Sequence, residues 1–219
     1  MGDKVKTFVE ECRPCQIANP QTEQEPLKPT LLPDGAWQIV HADFKGPIGG
    51  KWYVHTFIDQ FSKYPIVEVC KSTSWEHMKP QLQRITSLWG YMDTLITDGG
   101  PPYDSHKFKQ YMEDKGIYHH ICTPENPQAN GFVEVFQKVL IKIIHTAIVE
   151  KEDPREAVEK YLINYRAAPH KTTGKSPYEM MFRRKMKTKL PGIRNRQDTK
   201  TEAAARSRHD EEKMKQKER

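Results

Sequence analysis

Three segments, WQIVHADFKG from Trp37, KWYVHTFID from Lys51 and YPIVEVCK from Tyr64, are dense in Val, Ile and aromatic residues. Pro47, Gly49 and Gly50 separate the first pair; Gln60, Ser62 and Lys63 mark the second break. Such runs between turn residues read as β-strands, and their close spacing predicts an antiparallel meander. The period then changes. Met78, Leu82, Ile85 and Trp89 recur at helical spacing, which predicts a helix over 74–89 stopped by Gly90. Thr73 with Glu76 resembles a capping box, and Pro80 predicts an irregular first turn. DTLITD (93–98) predicts a short buried strand, 105–115 a helix, and GIYHHIC (116–122) a further strand. The polar run TPENPQANG (123–131) predicts a long loop, followed by helices over 131–150 and 154–168. Ser176 as N-cap and Pro177 at the first helical position predict a short last helix over 176–182. The expected class is α/β, a mixed five-stranded sheet flanked by helices.

The same pattern divides the 219 residues. Residues 1–17 read as a short helix carrying Cys12-x-x-Cys15, and 18–36, rich in Pro, Gln and Glu, as a linker. The main domain is expected over 37–185. Residues 186–219 read as a basic tail that loses apolar periodicity past Pro191 and is expected to be disordered, or at most a lone helix. With 36% hydrophobic residues and a mean hydropathy of -0.82, part of the chain is expected to stay outside any core. The N-terminus has no apolar signal region, and no run of 18 apolar residues predicts a membrane span.

The net charge is +6, and Arg183–Arg219 alone holds 14 Lys+Arg against 6 Asp+Glu. The rest is therefore slightly acidic, and the tail suits a polyanion such as DNA or is simply a solvated end. Cys70 and Cys122 sit in strand-like runs and read as buried free thiols. Nothing suggests a disulfide framework, so a reducing intracellular compartment is expected.

Three acids stand out. Asp43 lies on the first strand with the parity of Trp37, Ile39 and His41, where a carboxylate is costly unless paired or metal-bound. Asp98 ends a strand and opens into Gly99-Gly100-Pro101-Pro102, a turn with room for a substrate. Glu134 falls in the first turn of the long helix, where Glu134, Lys138, Ile141, Lys142 and His145 share one stripe. Phe132, Phe136, Val139, Leu140, Ile143 and Ala147 form the expected core-facing stripe. Each acid also has a structural reading: a lysine partner for Asp43, a turn for Asp98, the helix dipole for Glu134. Lys138 and Lys142 equally suit an ordinary solvated face.

The phrases HADFKGP, LITDGGPPYDSHKF, TPENPQANGFVEVF and NYRAAPHKTTGKSPYEMMF occur in this order. Together they resemble the catalytic core of retroviral and gypsy-type LTR-retrotransposon integrases over roughly 5–185. Asp98 and Glu134 are separated by 35 residues, matching that family's D,D-35-E pattern. The resemblance implies an RNase H-like fold in which Asp43, Asp98 and Glu134 are catalytic and bind two Mg²⁺ or Mn²⁺ ions. It implies a DNA polynucleotidyl transferase that processes 3′ ends and joins them to target DNA. It also implies a nuclear protein, cytoplasmic before import, that works as a dimer or tetramer. Gln128 and Asn130 in the loop, with Lys138 and Lys142 on the helix, are the expected DNA contacts, and Asp59 in FIDQFSKY is expected to stabilise a turn. Cys12-x-x-Cys15 resembles the end of the family's zinc domain, but the upstream histidines are missing and no structural zinc is expected. Val135 stands where the family has a polar or basic residue, Glu125 and Asn126 replace an aromatic and a histidine, and Gly99 replaces Asn or Ser. These departures leave a second class open: a domesticated or decayed integrase that binds nucleic acid without turnover. An RNase H-type ribonuclease fits less well, since that activity wants a fourth carboxylate.

Overall fold

The computed structural model describes residues 5–8, 11–13, 33–122 and 131–189. The chain forms two units, Met1–Leu32 and Pro33–Arg219. In the first, residues 5–8 are helical and Cys12 is half-buried; Cys15 lies outside the described residues.

The second unit holds five strands and five helices among the described residues. The strands are β1 (Ile39–Ile48), β2 (Trp52–Asp59), β3 (Pro65–Cys70), β4 (Thr94–Thr97) and β5 (Tyr118–Ile121). The helices are α1 (Trp75–Trp89), α2 (His106–Asp114), α3 (Gly131–Glu150), α4 (Pro154–Ala167) and α5 (Pro177–Phe182). The strands form one sheet in the order β3-β2-β1-β4-β5. The meander β1-β2-β3 is antiparallel, whereas β4 and β5 join parallel to β1 through helical crossovers. Among the described residues no helix is long and apolar enough to cross a membrane.

Alternation along the strands builds two cores, one on each face. Val40, Ala42, Phe57 and Leu95 pack against Met78, Leu82 and Ile85 of α1 and Phe108 and Met112 of α2. Val54 and Ile58 pack against Val133, Phe136, Leu140 and Ile144 of α3 and Val158 and Leu162 of α4. Turn chemistry fixes the ends. Asp59 accepts the Trp37 amide at 2.9 Å and, at its other oxygen, the Ser62 amide at 2.7 Å and hydroxyl at 2.5 Å. Ser176 accepts the Glu179 amide as the cap of α5, with Pro177 in its first turn.

Several local expectations are corrected. The cap of α1 is Ser74, whose side chain makes no cap bond, so Thr73 and Glu76 form no capping box. Pro80 sits inside α1, yet the helix runs unbroken from Trp75. Trp37 does not share the parity of Asp43: its φ of 69° turns the chain before β1 begins, and its ring joins the α1-side core. On α3 the buried stripe is Val133, Phe136, Gln137, Leu140, Ile144 and Ala147, with Val139 38% exposed. Phe136, Leu140 and Ala147 of the expected stripe are buried; the buried arc lies further round the helix than expected, taking in Val133, Gln137 and Ile144 in place of Val139 and Ile143. Cys70 is buried as expected, but Cys122 is only half-buried, because it follows an edge strand whose outer residues are exposed.

The α3 assignment makes a direct prediction. Leu140→Ala is expected to cost about 2–5 kcal/mol in urea unfolding. Val139→Ala on the adjacent position is expected to stay within about 0.5 kcal/mol. Equal costs for the two would contradict the orientation of the helix.

Candidate active site

The site is built where β1 and β4 run side by side. The parallel register pairs Ile39 with Thr94, Val40 with Leu95 and His41 with Ile96. Carried two residues further, the same register sets Asp43 beside Asp98. Parallel neighbours point to the same face, here the face covered by α3. Asp43 is 9% exposed, and Asp98, just past the end of β4, is exposed. The Asp98 carboxylate accepts the Gly100 amide at 3.3 Å, a local bond that orients it without neutralising it.

Helix α3 reaches this pair through Gln137. Its Nε2 donates to the backbone carbonyl of Asp43 at 3.2 Å. Glu134 lies one turn earlier, exposed, with Lys138 and Lys142 exposed beyond it. Among the described residues no group of three His, Cys, Asp or Glu side chains converges to metal-binding distance. The structure therefore brings two predicted acids together and leaves the third at the adjacent helix start. Gln128 and Asn130 lie outside the described residues.

The electrostatics follow from the placement. Burial pushes the Asp43 carboxyl up from 3.8 to about 6, and the charge of Asp98 pushes the same way. Lys45 and hydrogen bonds from Phe44 and Gln137 oppose this without cancelling it. Tyr103 is fully buried nearby, and its phenol is held well above its usual value of 10, first by burial and then by Asp43 and Asp98. Polar groups around Asp43 are left without partners: Thr56 Oγ1, on the residue paired with Asp43 across β2, and the Oε1 of Gln137. Tyr103 Oη and His55 Nε2 are likewise unpartnered.

Thr56 Oγ1 and Gln137 Oε1 are hard oxygen donors beside two adjacent carboxylates, a set that suits a divalent cation such as Mg²⁺ or Mn²⁺. A cation would reverse the like-charge repulsion that raises Asp43. The pair fits such an ion. Sequence reasoning missed Gln137, Thr56 and Tyr103. Gln137 carried a signal: a polar residue between Phe136 and Leu140 on the buried stripe of a helix.

Residues 33–127 match the family model of the integrase core domain. They belong to the integrase core family. An uncharacterized protein of Caenorhabditis elegans is 32% identical over 191 residues, covering 87% of this chain and 15% of that protein. The retrovirus-related Pol polyprotein from transposon gypsy of Drosophila melanogaster is 27% identical over 186 residues, covering 83% and 18% respectively. The chain thus spans less than a fifth of the length of these curated relatives. Among solved structures, an intasome of simian T-cell lymphotropic virus aligns with a TM-score of 0.65 at 19% identity, covering 91% of this chain and 72% of that one. The HTLV-2 integrase catalytic core domain in complex with magnesium, in its trimeric form, aligns at 0.56 and 18% identity, covering 67% and 97%. The integrase core here is accordingly an RNase H-like fold.

The Asp43 environment predicts a pH signature. A carboxyl whose folded pKa is raised favours the folded state at low pH; that contribution is fully present below about pH 4 and lost as pH rises through about 6. Thermal unfolding in chelator is expected to show this loss in the wild type and not in Asp43→Asn. A wild-type curve parallel to that of Asp43→Asn across this window would contradict the crowded-carboxylate site.

Proposed function

We propose that this chain is the catalytic core of an integrase-type DNA polynucleotidyl transferase, with Asp43, Asp98 and Glu134 as catalytic and metal-binding carboxylates. The observation that carries the reading is the side-by-side placement of Asp43 and Asp98 on the α3 face, within an integrase core. Asp43 and Asp98 would hold the ions, and Glu134 would complete the ligand set from the first turn of α3. Two divalent ions held there would supply Lewis-acid stabilisation of charge on the attacking and leaving oxygens of a phosphodiester. The nucleophile is water in 3′-processing and a DNA 3′-hydroxyl in strand transfer; one P–O bond forms as another breaks. Gln137 fixes the backbone of Asp43 so that its carboxylate need not reorganise. Lys138 and Lys142 continue the exposed stripe of Glu134 and neutralise backbone phosphates. Gln128 and Asn130 contact DNA beside the reacting bond.

The partners in this reading are element ends and target DNA, with further copies of the chain as a dimer or tetramer. The place of action is the nucleus, reached from the cytoplasm. The trimeric and dimeric forms of the HTLV-2 core and the viral intasome support an oligomer by analogy.

A second reading, a nucleic-acid-binding integrase without turnover, is favoured by one observation: no three acids converge among the described residues. The two readings separate in a nicking and strand-transfer assay on labelled DNA with Mg²⁺ or Mn²⁺. Glu134→Gln removes a charge with little change of shape. The first reading expects activity to fall by more than about 100-fold, beyond the effect of outer-shell changes, with DNA retention unchanged. Activity that survives the substitution would contradict it. Equal background in both proteins with DNA retained would support the second reading.

A further inference from the structure

Trp52 begins β2, opposite Ile48 across the β1–β2 turn. Three cations from three elements surround its ring. Lys51 Nζ, from the turn, lies 5.6 Å from the ring centroid; Lys71 Nζ, just past β3, lies at 5.3 Å; the Arg155 guanidinium, from the first turn of α4, lies at 5.6 Å. All three side chains belong to exposed residues. None pairs with a carboxylate among the described residues, whose ion pairs are Arg84–Glu68, Lys107–Glu76 and Lys160–Glu152. Two nearby acids are engaged elsewhere: Asp153 accepts the Arg155 amide at 2.9 Å, and Glu152 faces Lys160 at 3.8 Å. Glu156 lies in the same turn of α4, and Glu68 and Glu159 line a groove with Arg155; Glu68 is paired with Arg84.

An exposed cation–aromatic contact is a weak interaction. That is a modest return for three like charges gathered on one ring, and an anion would relieve their repulsion. The geometry is fixed rather than loose. Gly49 has φ of +57°, and a Cβ there would meet Ile148 Cδ1 at 2.8 Å, so the turn sits directly on α3. Arg155 Nε also donates to the Val69 carbonyl at 3.4 Å.

The cluster lies on the face of the proposed active site. Alternation along β2 puts Trp52, Val54, Thr56 and Ile58 on one side, and Thr56 is the partner of Asp43. Four residues of strand separate Thr56 from Trp52, roughly 13 Å. That is well under one turn of a DNA duplex, about 34 Å. The charges are open and spread over three elements, which suits a polyanionic backbone better than a small enclosed anion.

We infer that Lys51, Lys71 and Arg155, gathered on Trp52, form a DNA-backbone clamp that grips duplex phosphates away from the reacting bond. The inference rests on the integrase reading above, because it takes DNA as the ligand of this face.

The test measures the affinity of the full chain for a labelled duplex in chelator, over a range of salt. Each phosphate contact contributes about 0.9 to the slope of log K against log salt. The double variant Lys51→Gln, Lys71→Gln is expected to reduce that slope by about 2, and Arg155→Gln by about 1 more, while Arg155→Lys preserves it. Thermal unfolding of each variant reports folding separately. An unchanged slope with DNA still bound would overturn the clamp and leave the integrase reading standing. A fall in stability with an unchanged slope would also overturn it, making the cations mere braces of the hairpin. Wild-type protein that binds no DNA at any salt would sink the integrase reading itself, and the clamp with it.

Discussion

The site depends on one register. Parallel pairing of β1 with β4 at Ile39–Thr94, Val40–Leu95 and His41–Ile96 brings two acids from distant parts of the sequence to adjoining strand positions. Neither carboxylate would choose this place alone. Burial and mutual repulsion drive the Asp43 carboxyl to about 6, so the fold must hold the pair against its own electrostatics. The holding force is apolar. Val40 and Leu95 are fully buried beneath α1 and α2, and a slip of one residue would turn their side chains out of the core. The register that secures the hydrophobic face is the one that crowds the acids on the other.

The α3 face carries the complementary arrangement. Phe136, Leu140 and Ile144 seal the core against β2, while Gln137 on the same stripe bonds the backbone at Asp43. The exposed stripe of that helix carries Glu134, Lys138 and Lys142. At the far end α3 seats the β1–β2 turn through Ile148 and Gly49, and there the cations collect on Trp52. Negative charge sits at the centre of this face and positive charge flanks it, the distribution suited to binding a polyanion around a cation site. The sheet's outer edge is closed differently. Arg166 donates twice to the Pro65 carbonyl, at 3.1 and 2.8 Å, and stacks on Tyr64, so β3 offers no bare edge to another strand at that position.

Much of this was legible before any coordinates. Strand composition and turn residues located all five strands, because each lies between punctuating glycines, prolines or polar turns. Helical spacing of Met78, Leu82 and Ile85 identified the buried side of α1 correctly. Other features were hidden for physical reasons. The parity of Trp37 failed because a positive φ breaks the alternation before β1, and no residue preference of Trp announces such a φ. The stripe on α3 was only partly placed, because apolar residues extend so far round this helix that Val139 and Ile143 offered as good an edge to the core as Val133 and Ile144. Thr73 and Glu76 had capping-box spacing, but the chain bends one residue later, at Ser74. Asp43 and Asp98 were recognisable as candidates; that they adjoin follows only from the parallel pairing. The cation cluster on Trp52 was invisible in sequence, since Lys51, Lys71 and Arg155 share no local pattern.

The central claim is that the Asp43–Asp98 pair is a divalent-cation site. Anomalous diffraction from crystals of this chain soaked in Mn²⁺ tests it most directly. The account predicts manganese density at the carboxylates of Asp43 and Asp98, with Glu134 drawn toward it from α3. Well-ordered acids with no anomalous peak at their carboxylates at saturating Mn²⁺ would contradict it.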